Sequence, residues 1–313
     1  MTAARLPSAL RIGTRGSALA LAQSGMIGEQ LSALIGVPAE LVTIRTEGDV
    51  NMAPLTGIGG TGVFVSAVRD ALLAGEVDLV VHSLKDLPTA PAAGIALGAV
   101  PPRESPADAL VARDGLTFAG LPAGATVGTG SPRRAAQIRH ARPDLDIRPL
   151  RGNIDTRVGR VHSGDLDAVV LAAAGLRRIG RVDEITDDLS EVMLPAPAQG
   201  ALAVECRLED RQSAWFASAL AAVDDPASRA EVTAERNLLS HLEAGCSAPV
   251  GARAVVAGPS LTLHGVVMDT EARHRFHGTV SGDAGDAARI GRRLAEQLLA
   301  DGAATALTAA RER

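Results

Sequence analysis

The chain has 313 residues, 46% of them hydrophobic, 21% charged and 2% aromatic, with 36 acidic against 31 basic side chains and a net charge of −5. This is ordinary globular usage, which excludes a disordered chain, a collagen-like repeat and a coiled coil, and the acidic balance argues against a general nucleic-acid binder. Such a length implies about two domains with enough buried surface to need no disulfide or metal staple.

In chain order, Ala9 to Thr14 reads as a strand and Ser17 to Ile35 as a helix. The uncharged stretch from Gly16 to Gly28 follows Arg11 and Arg15 as in a signal peptide, but the strand-to-helix reading is preferred. Glu40 to Thr46 is a strand, Val63 to Ala74 a helix with one apolar stripe, and Asp78 to Ser83 a buried strand. After a Pro-rich crossing at Pro101, Pro102 and Pro106, strands are expected at Ala109 to Ala112, Thr126 to Gly128, Leu145 to Pro149 and Ala168 to Leu171. Helices are expected from Ser131, Asn153 and Ala172. This alternation implies parallel sheets built from βαβ units.

A second Pro-rich segment, Leu194 to Pro197, leads to a strand at Ala201 to Cys206. Two such crossings imply two α/β domains joined by a double hinge, with a cleft between them. From Pro226 the pattern changes to a helix over Glu231 to His241, then strands near Val250 to Val256, Leu261 to Met268 and Phe276 to Val280. A last helix spans Ala287 to Ala300, which makes the tail a small α+β module. No uncharged apolar run approaches the ~20 residues of a membrane span. Cys206 and Cys246 have neither the spacing nor the histidines of a metal site, so no metal is expected and a reducing, cytoplasmic setting fits.

Three places repeat a strand, a small-residue turn and a helix start beside arginine: Thr14-Arg15-Gly16-Ser17, Thr129-Gly130-Ser131-Pro132-Arg133-Arg134 and Arg151-Gly152-Asn153. Helix starts offer unpaired N–H groups, and arginine adds bidentate anion binding. From Ser131 to Arg160 there are eight arginines against three acids. A small polyanion is the expected ligand, because no aromatics interleave as in a single-strand nucleic-acid groove. Lys85, the only lysine in the chain, lies in His82-Ser83-Leu84-Lys85-Asp86 at the end of a buried strand. There Lys85 can neutralise an anion, and Asp86 can meet a developing cation or move a proton. Cys246 sits in the accessible loop Gly245-Cys246-Ser247, whereas Cys206 reads as a packed strand residue. The glycine-rich stretch Gly57 to Gly62 lacks the lysine of a P-loop and reads as a flexible loop over the cleft.

Taken together, RIGTRGSALALAQ, GGTGVFV, VHSLKDLPT, GTGSPRRAAQ, RGNIDTR, LAAAGLRR, LPAPAQGALAVECR and LEAGCSAPVG, in this order from Arg11 to Gly251, resemble the porphobilinogen deaminase family. The resemblance implies condensation of four porphobilinogen molecules into linear hydroxymethylbilane with release of ammonia. It implies a dipyrromethane cofactor held by a thioether to Cys246, and Asp86 as the carboxylate that stabilises the azafulvene cation. Arg15, Ser17, Ser83, Lys85, Thr129, Ser131, Arg133, Arg134, Arg151, Gly152, Arg157 and Arg178 would bind cofactor and substrate carboxylates. Gln199 and Gly200 would line the hinge side of the cleft.

The implied architecture is two α/β domains like those of periplasmic binding proteins, over 1–101 with 200–222 and over 102–199. A third domain over 223–313 carries a three-stranded antiparallel sheet and the cofactor cysteine. The resemblance also implies a cytoplasmic monomer with no nucleic-acid or membrane partner. Three positions depart from the family pattern: Gly130 where many members have serine, Thr61 where lysine is common, and Ala198 where glycine precedes Gln199. The competing classes are a non-catalytic two-lobed polyanion binder, which leaves Cys246 and Lys85-Asp86 unexplained, and a phosphate-transferring enzyme, which lacks its P-loop or acidic cluster.

Overall fold

The computed structural model describes residues 7–46, 65–244 and 248–311. Its contacts divide the chain into two compact units, residues 1–103 with 201–229 and residues 104–200 with 230–313.

The first unit opens with β1 (Leu10–Thr14) and α1 (Ala18–Ile35). Ser17 caps α1 by accepting from the Ala20 N–H, and Gly36 closes it in the left-handed conformation. Then come β2 (Ala39–Thr43), α2 (Ser66–Leu73), β3 (Leu79–Ser83) and β4 (Ile95–Ala99). The start expected for α2 at Val63 lies outside the described residues.

The chain passes into the second unit through β5 (Asp108–Ala112), β6 (Thr126–Thr129), α3 (Pro132–Ala141), β7 (Asp146–Pro149) and α4 (Ile154–His162). β8 (Ala168–Ala172), α5 (Ala173–Arg178) and the short β9 (Asp187–Asp188) complete its five-stranded sheet, ordered β7-β6-β8-β5-β9. Ser131 and Asn153 cap α3 and α4, with Pro132 at the first helical position of α3.

β10 (Leu202–Arg207) and α6 (Ala214–Val223) belong to the first unit again, whose sheet runs β2-β1-β3-β10-β4. Neither sheet is parallel throughout, contrary to the expectation from the alternation. β10 lies antiparallel between β3 and β4, and β5 lies antiparallel between β8 and β9. Both strands follow long crossings rather than a helix of a βαβ unit, so nothing in their connection forces a parallel direction.

Each sheet is buried on two faces. In the first unit Leu10, Ile12, Leu79 and Val204 pack with Ile27, Leu31, Phe216 and Leu220, and Val80 packs with Val68, Leu72 and Val77 on the other side. In the second unit Val127 and Val170 pack with Ile138, while Val169 and Leu171 pack with Val158 and Val161.

After α7 (Pro226–His241) come β11 (Val250–Ala257), β12 (Ser260–Met268), β13 (Arg275–Asp283), α8 (Ala287–Ala300) and α9 (Ala303–Arg311). The three strands form the expected antiparallel sheet. Its core is a separate cluster around Leu238, Leu263, Leu294 and Leu298.

Candidate active site

In the first unit the turn after β1 and the turn after β3 border one pocket of about 80 Å³, lined among others by Arg15, Ser17, Gln23, His82, Ser83 and Asp86. It has space for several waters or one small ring. The hydrophobic residues around the polar ones place it. Leu84 and Leu87 are buried, so the single turn Leu84–Asp86 is pinned from below and leaves Asp86 exposed and Lys85 half-buried. The Leu84 N–H donates to the Ala201 carbonyl at 3.0 Å, and Leu87 to Leu84 at 3.2 Å. Gln23 of α1 brackets the Ser83 hydroxyl, with Nε2 donating at 3.0 Å and Oε1 accepting at 3.2 Å. A cation, hydroxyls and an α-helix start therefore share a hollow with an open carboxylate. That set can take an anionic substituent at Arg15 while Asp86 meets an N–H group or a positive charge.

The second unit carries the arginine-rich turns. Thr129 ends β6 and accepts from the Ser131 N–H at 3.2 Å, and the Ser131 hydroxyl accepts from the Arg134 N–H at 3.4 Å. Arg133 and Arg134 are not on a solvated helix face. Both are about 95% buried against Asp108, which is 0% exposed. Asp108 accepts from Arg133 Nη1 and Nη2 at 2.7 and 3.2 Å and from Arg134 Nε at 2.9 Å. Burial pushes the Asp108 carboxyl up, but the two guanidinium groups override it and hold it well below the ordinary carboxylate range. Two buried cations share one anion, which leaves net positive charge, and the buried Arg133 Nε has no hydrogen-bond partner among the described residues.

Gln199 completes this cluster, donating from Nε2 to Asp108 at 2.9 Å and to the Pro106 carbonyl at 2.8 Å. Gly200 has φ +89°, and a Cβ there would lie 2.3 Å from the Glu104 carbonyl, so no other residue fits. Arg178 donates to the Gly200 carbonyl at 2.6 Å; burial lowers its pKa, and its Nε is likewise buried without a partner among the described residues. Around α4, Asn153 accepts from the Thr156 N–H at 2.8 Å and Arg157 Nε donates to the Gly152 carbonyl at 2.8 Å. Arg151 is exposed beside them.

The structure thus gathers Arg15, Ser17, Ser83 and Asp86 in one unit, and Arg133, Arg134 and Gln199 on Asp108 in the other. Cys246, Thr61 and the Gly57–Gly62 loop lie outside the described residues. Cys206 is buried, and desolvation raises its thiol to about 11, as befits a packed and unreactive sulfur. Sequence reasoning missed Gln23, His82 and Asp108. The signal for Asp108 was a carboxylate opening the otherwise apolar strand Asp108-Ala109-Leu110-Val111. No group of three or more acidic, histidine or cysteine side chains among the described residues could hold a metal ion.

Two family models match the chain: "Porphobilinogen deaminase, dipyromethane cofactor binding domain" over residues 10–214, and "Porphobilinogen deaminase, C-terminal domain" over 229–300. The porphobilinogen deaminase of Thermobifida fusca is 57% identical over 303 residues, which are 94% of each chain. That of Nocardia farcinica is 54% identical over 97% of this chain and 89% of its own. Among solved structures, the periplasmic aliphatic sulphonate binding protein SsuA from Escherichia coli aligns with 76% of this chain and 71% of its own, at 16% identity and a TM-score of 0.39. With the matched models spanning most of the sequence, the chain belongs to the porphobilinogen deaminase family.

Proposed function

We propose that the chain is a transferase that joins four porphobilinogen molecules head to tail into hydroxymethylbilane, releasing ammonia at each step, with a dipyrromethane on Cys246 as primer. The observation that carries this is the exposed Asp86 carboxylate, held on a pinned turn in a pocket with Arg15, Ser17 and Ser83. Dipyrromethane supplies a nucleophilic pyrrole carbon and a covalent anchor for the product. Its acetate and propionate groups suit the donors present. The Asp108 cluster carries net positive charge, and Arg133 Nε and Arg178 Nε are buried without partners among the described residues.

In this reading Arg133, Arg134, Arg151, Gly152, Arg157 and Arg178 hold ligand carboxylates, helped by Thr129, Ser131 and Lys85. Gln199 and Gly200 fix the segment that holds Arg178 and Asp108 in place. Asp86 faces the positive charge that develops at the methylene carbon of porphobilinogen as the amine departs. A fixed carboxylate there stabilises the transition state more than the bound substrate. The three-domain division belongs to the same reading and is supported by the separate core of the third sheet. So do a monomeric, cytoplasmic protein and the absence of nucleic-acid or membrane partners; no described helix is long and apolar enough to cross a membrane.

An intact mass spectrum of the denatured protein tests this reading. Two linked pyrrole units of extra mass on Cys246 are expected, absent in Cys246→Ser and kept in Cys206→Ser. Incubation with porphobilinogen should add steps of one pyrrole unit. A bare polypeptide mass before and after incubation would refute the enzyme and leave a polyanion binder.

A further inference from the structure

On the α2 side of the first sheet three ionisable side chains meet in an apolar layer that includes Val68 and Val80. Arg69 of α2 donates from Nε and Nη2 to the two oxygens of Glu205 on β10, at 2.9 and 2.6 Å. His82 of β3 places Nε2 3.5 Å from Glu205 Oε2. All three side chains are at least 85% buried. Nothing in the condensation described above uses them, yet His82 lines the same pocket as Asp86 and Ser83.

Burial pushes the Glu205 carboxyl up, but the hydrogen bonds from Arg69 and the nearby His82 ring bring it down to about 2, so it stays ionised at any working pH. A fixed carboxylate behind an imidazole keeps the proton on the nitrogen that faces it, here Nε2. That nitrogen is sealed from solvent and makes no hydrogen bond within standard geometry. Such contacts are often long before substrate binds. Nδ1 is then the nitrogen left for the pocket, with its lone pair available. The same carboxylate offsets the charge of an imidazolium once a proton arrives, the part an aspartate plays behind the histidine of a hydrolase triad.

We propose that His82 is a catalytic acid–base group of the Asp86 pocket, and that Glu205 and Arg69 are positioning residues that set its tautomer and balance its charge. This rests on the condensation proposed above. In each round the C–N bond of protonated porphobilinogen breaks and its electron pair leaves with ammonia. At the pyrrole carbon that forms the new C–C bond, the C–H bond breaks, its electrons return to the ring, and the proton goes to His82 Nδ1. His82 then passes that proton to the ammonia, which departs as ammonium, so the round closes without net proton exchange with the enzyme. Among the described residues, the charged groups that face the ring or line its pocket are Glu205 from β10, Arg69 from α2, and Arg15 and Asp86 of the pocket lining.

The test uses the full chain with its covalent group. Ring ¹⁵N spectra, with His82 assigned by the signal lost in His82→Gln, should show the Nε2–H tautomer. Glu205→Gln and Arg69→Met should turn it into a mixture. His82→Gln should lower kcat roughly 10²-fold or more, with KM within threefold and covalent mass unchanged. An Nδ1–H tautomer in the wild type, or a folded His82→Gln within fivefold of wild-type kcat, would overturn the proposal. The signal is assigned equally by its loss in His82→Asn, so the wild-type spectrum decides even where His82→Gln does not fold. A wild type that makes no product from porphobilinogen would instead refute the condensation itself.

Discussion

Replacing Asp108 by asparagine removes one charge and almost no volume, so it isolates what the carboxylate does for Arg133 and Arg134. With no exposed surface, its two oxygens accept from both terminal nitrogens of Arg133, from Arg134 Nε and from Gln199 Nε2, and Arg134 Nη2 lies 2.8 Å away. Asparagine keeps one acceptor and turns an amide N–H₂ toward guanidinium donors. Two adjacent cations then remain in a dry site without a counter-ion. Leaving a buried charge unpaired costs about 3–5 kcal/mol, or a melting temperature lower by roughly 6–20 °C for a unit of 150–250 residues.

Calorimetry at neutral pH reads this directly. A second removal, Asp108→Asn with Arg133→Met, should recover part of the loss by deleting the surplus charge. Because the Asp108 carboxyl is held below its ordinary value of 3.8, its contribution is complete above that pH and falls away only in stronger acid. The wild-type advantage should therefore persist from pH 8 to about pH 4. A single variant that melts within about 3 °C of wild type would refute the argument, since the cluster would then not depend on its anion.

Four shorter expectations follow from other sites. Glu205 is depressed from 4.5 to about 2, so its contribution of about 3 kcal/mol is present above pH 4.5 and lost as pH falls toward 2; Glu205→Gln should flatten that part of a urea-midpoint-against-pH curve, and an unchanged slope would contradict it. Ala198 has φ +63° and is fully buried, so Ala198→Gly should stabilise by up to about 1 kcal/mol, and a loss beyond that size in chemical denaturation would show the strain is absent. A Cβ on Gly130 would lie 2.4 Å from the Leu150 carbonyl oxygen, so Gly130→Ser should cost about 1–3 kcal/mol in spite of the serine common in the family; an unchanged melting point would mean the ends of β6 and β7 yield freely. Asp86→Asn should cut kcat by roughly 10² or more with little change in KM, and near-normal turnover would remove Asp86 from its role.

Local chemistry was readable, and long-range chemistry was not. Ser17, Ser131 and Asn153 mark their helix starts because a cap needs only its own next three residues. The order Lys85-Asp86 after a buried strand likewise marked a turn at the C-terminal end of β3. By contrast, Arg133 and Arg134 look like any pair of surface arginines until Asp108, 25 residues earlier, is known to meet them. The direction of β5 and β10 was hidden for the same reason, since alternation records which residues are apolar and not which strand lies alongside. α6 went unread because Ala-Trp-Phe-Ala-Ser-Ala-Leu-Ala-Ala-Val is apolar on nearly every face and offers no stripe. β4 was missed as a five-residue run between glycine and proline punctuation.

The placement of β10 also sets the order in which the molecule can be built. Among the described residues β4 reaches the first sheet only through β10, and the cluster around Leu10, Ile12 and Leu79 draws Val204, Phe216 and Leu220 from beyond residue 200. On a ribosome adding 5–20 residues per second, β3 therefore waits roughly 5–20 s with one edge open while the whole of residues 104–200 emerges. An exposed β3 edge (Leu79-Val80-Val81-His82-Ser83) opens on three aliphatic residues and carries no acid, lysine or arginine, the type prone to pair with a neighbouring nascent chain. Any slowing of synthesis between β4 and β10 lengthens that exposure, so the yield of folded protein becomes a matter of translation speed as well as of stability.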